Sequence, residues 1–189
     1  MNDIKQMKND LKNMMSDFRF KHSLLVADEA VLLAKRYGID SNEAYEAGLL
    51  HDIAKEVSSS ENERVVNKYH LSNEWLMPKN ANVLHAIIGS YIASEKYDLK
   101  EEEILAIRYH AIGDEKMDLL AKIIFIADKI GRHNLNDNLL KIKKLAYQDI
   151  DESLKEFLIY QSNILEKNGG QLHQNTIKLL KKLEKKVNT

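Results

Sequence analysis

The chain has 189 residues, of which 44% are hydrophobic and 30% charged, a balance typical of folded globular proteins. A formal net charge of -1 offers no basic surface to DNA, RNA or an anionic membrane, so we expect neither a nucleic-acid partner nor a membrane. Because the sequence contains no cysteine, disulfides, zinc-thiolate sites and cysteine nucleophiles are excluded, and any metal must be held by histidine, carboxylate and water.

Helical periodicity runs through almost the whole sequence, which contains one proline and seven glycines. Short and long helices are predicted, in chain order, over Ile4 to Met15, from near Arg19 to RYGID, from Ser41 into LLHDIAKE, and over 60–69, 82–97, 100–110, 117–130, 137–147, 151–167 and Asn175 to Val187. Ser60 with Glu63, and Asp98 with Glu101, have the spacing of capping boxes. No segment alternates like a strand, so we predict an all-α fold, a single bundle of about eight or nine helices without a sheet.

Neither of the two stretches that could direct the chain to a membrane has the required composition. The first ten residues, MNDIKQMKND, carry charge throughout, so we expect no signal peptide. The most apolar run, LLAKIIFIADKI, contains Lys122 and Asp128 and is too short to cross a bilayer. We therefore expect a cytoplasmic protein.

Polar residues on otherwise apolar helix faces are the candidates for chemistry. They are His22, His51, Asp52, His85, His110 and Asp128. A single inward histidine is ordinarily a core or helix-end residue whose hydrogen bonds are satisfied locally. An aspartate amid IIFIA is costly to bury without a partner or a metal. A bound divalent cation would explain all six residues together, because it neutralises carboxylates and accepts imidazole lone pairs.

The order of these residues is that of the HD superfamily of metal-dependent phosphohydrolases: His22, then the His51–Asp52 pair, then Asp128. Six stretches also resemble, in sequence order, the blocks of the bacterial YqeK family: RFKHSLLVADEA, AGLLHDIAKE, LHAIIGSYIA, IRYHAIG, KIIFIADKI and QLHQNT. The resemblance covers about residues 17–180. It implies one all-helical HD-type domain over 1–189 that hydrolyses diadenosine tetraphosphate symmetrically to two ADP molecules.

The resemblance also implies a ligand set for a divalent metal. His22, His51, Asp52 and Asp128 would hold an iron ion, with manganese or cobalt as alternatives. His85 and His110 stand where related HD proteins hold a second metal, with Asp52 as the bridge; if one ion binds, these histidines would face the phosphates instead. The expected catalytic residues are Asp52, Lys55, His85 and His110.

Two basic residues flank the metal motif. Lys55 lies one helical turn beyond His51, and Arg19 one turn before His22, so both could reach phosphate oxygens beside the metal. Taken alone, each would be an exposed charge at a helix end. The metal motif beside them favours the phosphate contact.

The stretch QLHQNT follows a glycine turn and begins the last helix. Its side chains and free N–H groups could bind a phosphate, ribose or base edge, or they could simply cap the helix. The resemblance favours a nucleotide contact. The expected substrate-binding residues are Arg19, His22, Lys55, His85, His110, Ala111, Asp128, Arg132, His173, Asn175 and Thr176.

Three positions depart from the YqeK pattern. Ala111 stands where a threonine commonly follows the histidine of the fourth block, and Gln174 stands where proline is usual. Arg132 lies two residues earlier than the family's Asn-Arg pair. These changes touch the substrate pocket and leave the metal set complete.

Other functions are also compatible with the residues. They are an HD phosphohydrolase acting on a deoxynucleotide or cyclic nucleotide, a metal-containing nucleotide sensor or ribosome-associated protein without turnover, and a purely structural helical protein. The expected partner is a small-molecule nucleotide, with ADP as the product. Apolar residues such as Trp75 and Leu76 permit a homodimer.

Overall fold

The fold is built entirely from helices in the residues that the computed structural model describes, which are 2–71 and 81–186. The ten helices are α1 (Ile4–Met14), α2 (Asp17–Tyr37), α3 (Ser41–Leu50), α4 (Ser59–Lys68), α5 (Ala81–Lys96), α6 (Glu101–Tyr109), α7 (Leu119–Ile130), α8 (Asp137–Ala146), α9 (Ile150–Lys167) and α10 (Gln174–Lys186). The all-α prediction is confirmed. The count exceeds eight or nine because each predicted segment, however short, forms a separate helix. Trp75 and Leu76 lie outside the described residues.

Two helix starts differ from the predicted capping boxes by two residues. Helix α4 is capped by Ser58 rather than Ser60, because the Ser58 hydroxyl accepts a hydrogen bond from the backbone N–H three residues on. Helix α6 starts after Lys100 rather than Asp98, and its Glu103 carboxylate accepts from the Lys100 N–H at 2.9 Å. The predicted helices therefore exist, and local side-chain geometry decides where each begins.

Helix α7 lies at the centre of the fold. It packs against α2, α3, α6, α8 and α9, and eight of its twelve residues are buried. This position explains why LLAKIIFIADKI is so apolar. The surrounding hydrophobic core extends from Met7 in α1 to Leu183 in α10.

Helices α2 and α3 approach each other closely at Gly48. A Cβ atom at this position would lie 2.8 Å from the Cα atom of Ala27, a distance that real Cβ contacts do not show. The glycine therefore permits the backbones of the two helices to come together. These helices carry or lead directly into three of the candidate ligands.

The described helices include none that combines the length and the hydrophobicity required to cross a membrane.

Candidate active site

Five helices bring the six candidate polar residues to one place. His22 lies on α2, His85 on α5 and Asp128 on α7, whereas the remaining residues follow helix ends. Helix α3 ends at Leu50, so the predicted helix through LLHDIAKE stops before His51 and Asp52, which lie in the following turn. Both are nonetheless buried, with 0% and 3% of their surface exposed. The helix does end at this pair, and the pair points into the protein.

One half of the cluster surrounds Asp128. Its Oδ1 atom lies 3.0 Å from Nε2 of His22 and 3.5 Å from Nε2 of His51. The same His51 nitrogen is 3.5 Å from Oδ2 of Asp52. The donor atoms of His22, His51 and Asp128 are close enough together to share one metal ion, as are those of His51, Asp52 and His110.

The other half of the cluster surrounds the second oxygen of Asp52. Its Oδ1 atom lies 3.1 Å from Nε2 of His85 and 3.6 Å from Nε2 of His110. The two imidazole nitrogens are 3.1 Å apart. Asp52 thus presents one oxygen to each half, which is the arrangement required of a bridging carboxylate.

Backbone carbonyls fix the orientation of two imidazoles. The Nδ1–H of His51 donates to the Gly48 carbonyl at 2.8 Å, and that of His110 donates to the Ile107 carbonyl at 2.7 Å. Because a carbonyl can only accept, Nδ1 of each ring carries a proton and Nε2 faces the cluster, which is the orientation of a metal-ligating histidine. Nε2 of His51 is buried without a hydrogen-bond partner among the described residues. This orphaned nitrogen beside two carboxylates fits a divalent cation.

The charges of the cluster also favour a bound cation. Burial alone would lower the pKa of His51, but the Asp52 and Asp128 carboxylates outweigh it and raise the pKa to about 10, so the two carboxylates favour a positive charge between them. Burial would raise the pKa of Asp52, yet His51 and the neighbouring imidazoles hold it below its ordinary value. Burial lowers the pKa of His110 to about 4 and also lowers that of His85. The carboxylates are therefore ionised, and two of the imidazoles are neutral.

The cluster forms one wall of a cavity of about 750 Å³, a size typical of small-molecule sites. Five cationic side chains of the described residues line it: Arg19, Lys21, Lys55, Lys129 and Arg132. Ala111 lines it too. This combination of buried ligands and surrounding positive charge suits a metal-dependent reaction on a polyanion.

The three cationic side chains that the sequence predicts, Arg19, Lys55 and Arg132, all make direct contacts with the cluster. Nη1 of Arg19 lies 2.6 Å from Oδ2 of Asp52. Nζ of Lys55 lies 3.3 Å from the ring nitrogens of His85, and burial lowers its pKa. Arg132 donates to the backbone carbonyl of Asp128 at 2.7 Å, from a half-exposed position. The residues predicted to contact phosphate on either side of the metal motif thus reach the same cavity.

The predicted residues of QLHQNT do not line this cavity in the described structure. Thr176 donates its hydroxyl to the Ile112 carbonyl at 2.7 Å, and Asn175 donates to the Asp114 carboxylate at 3.1 Å. The ring of His173 accepts from the Asn175 N–H. These bonds attach α10 to the turn after α6, and the nucleotide contact of the three residues stays a prediction.

The structure adds cavity residues that the sequence reasoning missed. Lys129 places its ammonium 2.6 Å from Oδ2 of Asp128, and its position directly after that aspartate was the available signal. Phe18 and Leu25 lie four residues before and three after His22, on the same face of α2, so helical periodicity could have identified them. Gln161 reaches the cavity from α9 through tertiary packing and has no signal in the sequence.

Comparisons with known proteins identify the family to which the chain is similar. The sequence matches the HD domain family over residues 19–132. It is 32% identical over 145 residues to the symmetrical bis(5'-nucleosyl)-tetraphosphatase of Bacillus subtilis, covering 76% of this chain and 77% of that protein. It is also 32% identical over 156 residues to the protein of the same name from Staphylococcus aureus, covering 81% and 80%.

One solved structure is similar along nearly the whole chain. It is a crystal structure of a predicted HD superfamily hydrolase involved in NAD metabolism from Clostridium acetobutylicum. The two structures superpose with a TM-score of 0.90 at 31% sequence identity, covering 98% of this chain and 99% of the other.

Proposed function

The chain belongs to the HD domain family and is a hydrolase of the HD superfamily, and from this premise we propose that it cleaves diadenosine tetraphosphate symmetrically into two molecules of ADP. One observation carries the proposal: a single cavity joins a buried cluster of histidines and aspartates to five cationic side chains. A substrate with several linked phosphates matches that distribution of charge. The names of two relatives, symmetrical bis(5'-nucleosyl)-tetraphosphatase, support a dinucleoside tetraphosphate as the substrate and symmetrical cleavage, and the resemblance to the YqeK family supports adenosine as the nucleoside.

In this proposal, His22, His51, Asp52 and Asp128 hold one divalent ion, and Asp52, His85 and His110 hold a second if two bind. Iron is the metal that we propose, with manganese and cobalt as alternatives. When bound, such an ion neutralises phosphate charge and makes water acidic enough to supply hydroxide near neutral pH. Elemental analysis of protein purified without chelators tests the metal and its stoichiometry.

The side chains around the cluster hold the polyphosphate. Arg19 and Lys129 already pair with the cluster carboxylates, so their charges lie at its edge, where phosphate oxygens would bind. Lys55, beside His85, contacts the reacting phosphate in this arrangement, and Arg132 binds phosphate at the rim. Hydrolysis of a phosphoanhydride requires mainly positioning and charge neutralisation, which these residues supply.

Product analysis tests the proposed reaction. The purified protein is incubated with diadenosine tetraphosphate and manganese or ferrous iron, and the nucleotides are separated by chromatography. We expect ADP as the sole nucleotide product. AMP together with ATP would contradict symmetrical cleavage, and faster turnover of a deoxynucleotide or cyclic nucleotide in a parallel panel would contradict the proposed substrate.

The variant Asp52→Asn tests the role of the cluster in the same assay. We expect it to lower the rate at least about a hundredfold, because even the outer partners of metal ligands contribute ten- to a hundredfold. Asp28→Asn is the matched control, since Asp28 is exposed on α2. Equal rates for the two variants would contradict the proposed site.

Three broader predictions belong with this proposal. We propose that residues 1–189 form one HD-type domain, supported by a hydrophobic core that includes side chains from both α1 and α10. Limited proteolysis that releases no stable fragment would support it. The cytoplasmic location and the homodimer stay predictions.

A further inference from the structure

Phe18 is the most exposed large hydrophobic residue among those described, with 76% of its surface accessible. A single exposed apolar side chain is ordinarily unremarkable. This one, however, lines the cavity of the histidine–aspartate cluster. Its position in the first turn of α2 places an unburied aromatic ring at the edge of the proposed active site.

The helix face that carries Phe18 runs directly to the cluster. Phe18, His22 and Leu25 all line the cavity at helical spacing, and the first and last are about 10 Å apart along the axis of α2. His22 lies between them, with its Nε2 atom 3.0 Å from Asp128. The cavity therefore extends to both sides of His22 along α2.

Arg19 links the ring to the cluster. Its guanidinium carbon lies 5.9 Å from the centre of the Phe18 ring, while its Nη1 atom contacts Asp52 at 2.6 Å. One arginine head group thus spans the distance between the aromatic ring and a cluster carboxylate. A base on the ring and phosphates at the cluster would therefore both lie within reach of Arg19.

We propose that Phe18 is the platform on which one nucleobase of the substrate stacks while the phosphates lie over the cluster. The inference rests on the proposed function and adds a residue that binds the base. Aromatic side chains stack on bases because both have flat π-faces, and the contact tolerates any base. Arg19 then serves both ends of the nucleotide, with its charge near the phosphates and its planar head group beside the ring.

Equilibrium binding tests the platform without turnover. Calorimetry measures the affinity of the full-length protein with manganese for two probes, ADP and pyrophosphate, which lacks a base. Phe18→Leu removes the aromatic ring and keeps an apolar side chain, whereas Phe18→Trp keeps an aromatic surface. Leu32→Ala is the control, because Leu32 is a half-exposed residue of the same helix outside the cavity.

We expect Phe18→Leu to weaken ADP binding about tenfold, within the range measured when one stacking aromatic is removed. Pyrophosphate affinity should stay within twofold of the wild type, and Phe18→Trp should bind ADP at least as tightly as the wild type. Unchanged ADP affinity in Phe18→Leu would overturn the proposal. So would an equal loss for pyrophosphate, an equal loss in Phe18→Trp or Leu32→Ala, or the absence of ADP binding to the wild type.

Product analysis distinguishes failure of the proposed reaction from failure of the proposed stacking platform. If diadenosine tetraphosphate yields AMP and ATP, or is not cleaved, the symmetrical hydrolase is contradicted. The selective loss of ADP over pyrophosphate affinity in Phe18→Leu would still establish the stacking platform.

Discussion

At the scale of single residues, the pKa separates Asp52 and Asp128 from Glu103, although all three of these carboxylates are largely or fully buried. Asp52 and Asp128 are surrounded by imidazoles and cationic side chains, which lower the pKa of both. Glu103, on α6, lies near Glu46 and Glu43 instead, and burial together with these carboxylates raises its pKa to about 7. The aspartates therefore keep their charge and favour a cation, whereas Glu103 holds a proton near neutral pH.

The raised pKa of Glu103 predicts how stability depends on pH. A carboxyl group whose pKa is higher in the folded protein stabilises the fold below its unfolded pKa, and this contribution is lost as the pH rises to about 7. Glu103→Gln stays neutral and can still accept the Lys100 N–H. We expect it to be more stable than the wild type at pH 8, by up to about 3 kcal/mol at roughly 1.4 kcal/mol per pKa unit, and equal at pH 4.5.

Denaturant unfolding at several pH values measures this difference. Glu102→Gln is the control, because Glu102 is the exposed neighbour on the same helix. A constant gap between Glu103→Gln and the wild type from pH 4.5 to 8 would contradict the prediction. If Glu102→Gln differed from the wild type in stability by the same amount and with the same pH dependence, the effect would come from the change in net charge.

The sequence predicts the histidine–aspartate cluster better than the other residues that line the cavity. His51, Asp52 and Asp128 are recognisable because polar groups in apolar runs are costly to bury alone, and the structure brings them together. Gln161 is an ordinary polar residue of α9, and only the packing of the helices places it at the cavity. Such residues follow no recognisable sequence pattern, so a single sequence does not distinguish them from ordinary surface residues.

At the scale of helices, the contact between α2 and α3 depends on Gly48. The backbone of Ala27 occupies the space that a side chain at position 48 would need. The Gly48 carbonyl also accepts the hydrogen bond that orients His51. The packing of two helices and the orientation of one ligand are therefore set at the same residue.

Gly48→Ala should destabilise the protein by about 1 to 3 kcal/mol or more, because the added methyl group must push α3 away from α2. It should also weaken metal binding, since the shift displaces His51 relative to His22. Chemical denaturation and metal titration measure the two effects.

The comparison variant is Gly38→Ala, at the end of α2. Gly38 has a φ of 71° and nothing near its absent side chain, so alanine there adds left-handed backbone strain of about 1 to 2 kcal/mol without a clash. We expect this variant to keep the metal affinity of the wild type. Loss of metal affinity in Gly38→Ala, or full retention in Gly48→Ala, would show that the α2–α3 contact does not control the cluster.

Periodicity predicts every helix, whereas helix starts depend on details that periodicity does not carry. Serines stand at both 58 and 60, and the spacing of Ser60 resembles a capping box. The chain uses Ser58, whose hydroxyl reaches the N–H of Glu61 at 3.2 Å. Two neighbouring serines stabilise a helix start by similar free energies, so the path of the backbone into the helix decides which of them is the cap.

At the scale of the whole molecule, the cluster connects five helices, and its residues are spread from His22 to Asp128 along the sequence. Its residues lie on or directly after α2, α3, α5, α6 and α7. Ligands drawn from so many elements come together only in the folded chain, so a metal that binds them stabilises the folded state over the unfolded state. Without a cation, two ionised carboxylates remain buried among imidazoles and a few basic side chains.

We therefore expect manganese or ferrous iron to raise the melting temperature and a chelator to lower it. A ligand at a hundred times its dissociation constant adds about 2.7 kcal/mol to the free energy of unfolding. For a chain of this length that corresponds to a rise of about 5 to 10 °C. Scanning calorimetry of chelated protein with and without added metal measures the shift.

Asp128→Asn distinguishes a metal at the cluster from metal bound elsewhere. The substitution removes the oxygen charge shared by His22 and His51, so the rise in melting temperature should disappear. The chelated variant should still unfold cooperatively, because an amide fills the same space and relieves part of the buried negative charge. Asp28→Asn should keep the full rise. A rise of equal size in Asp128→Asn would place the metal at other residues, and the five helices would then converge on this cluster for a reason other than metal binding.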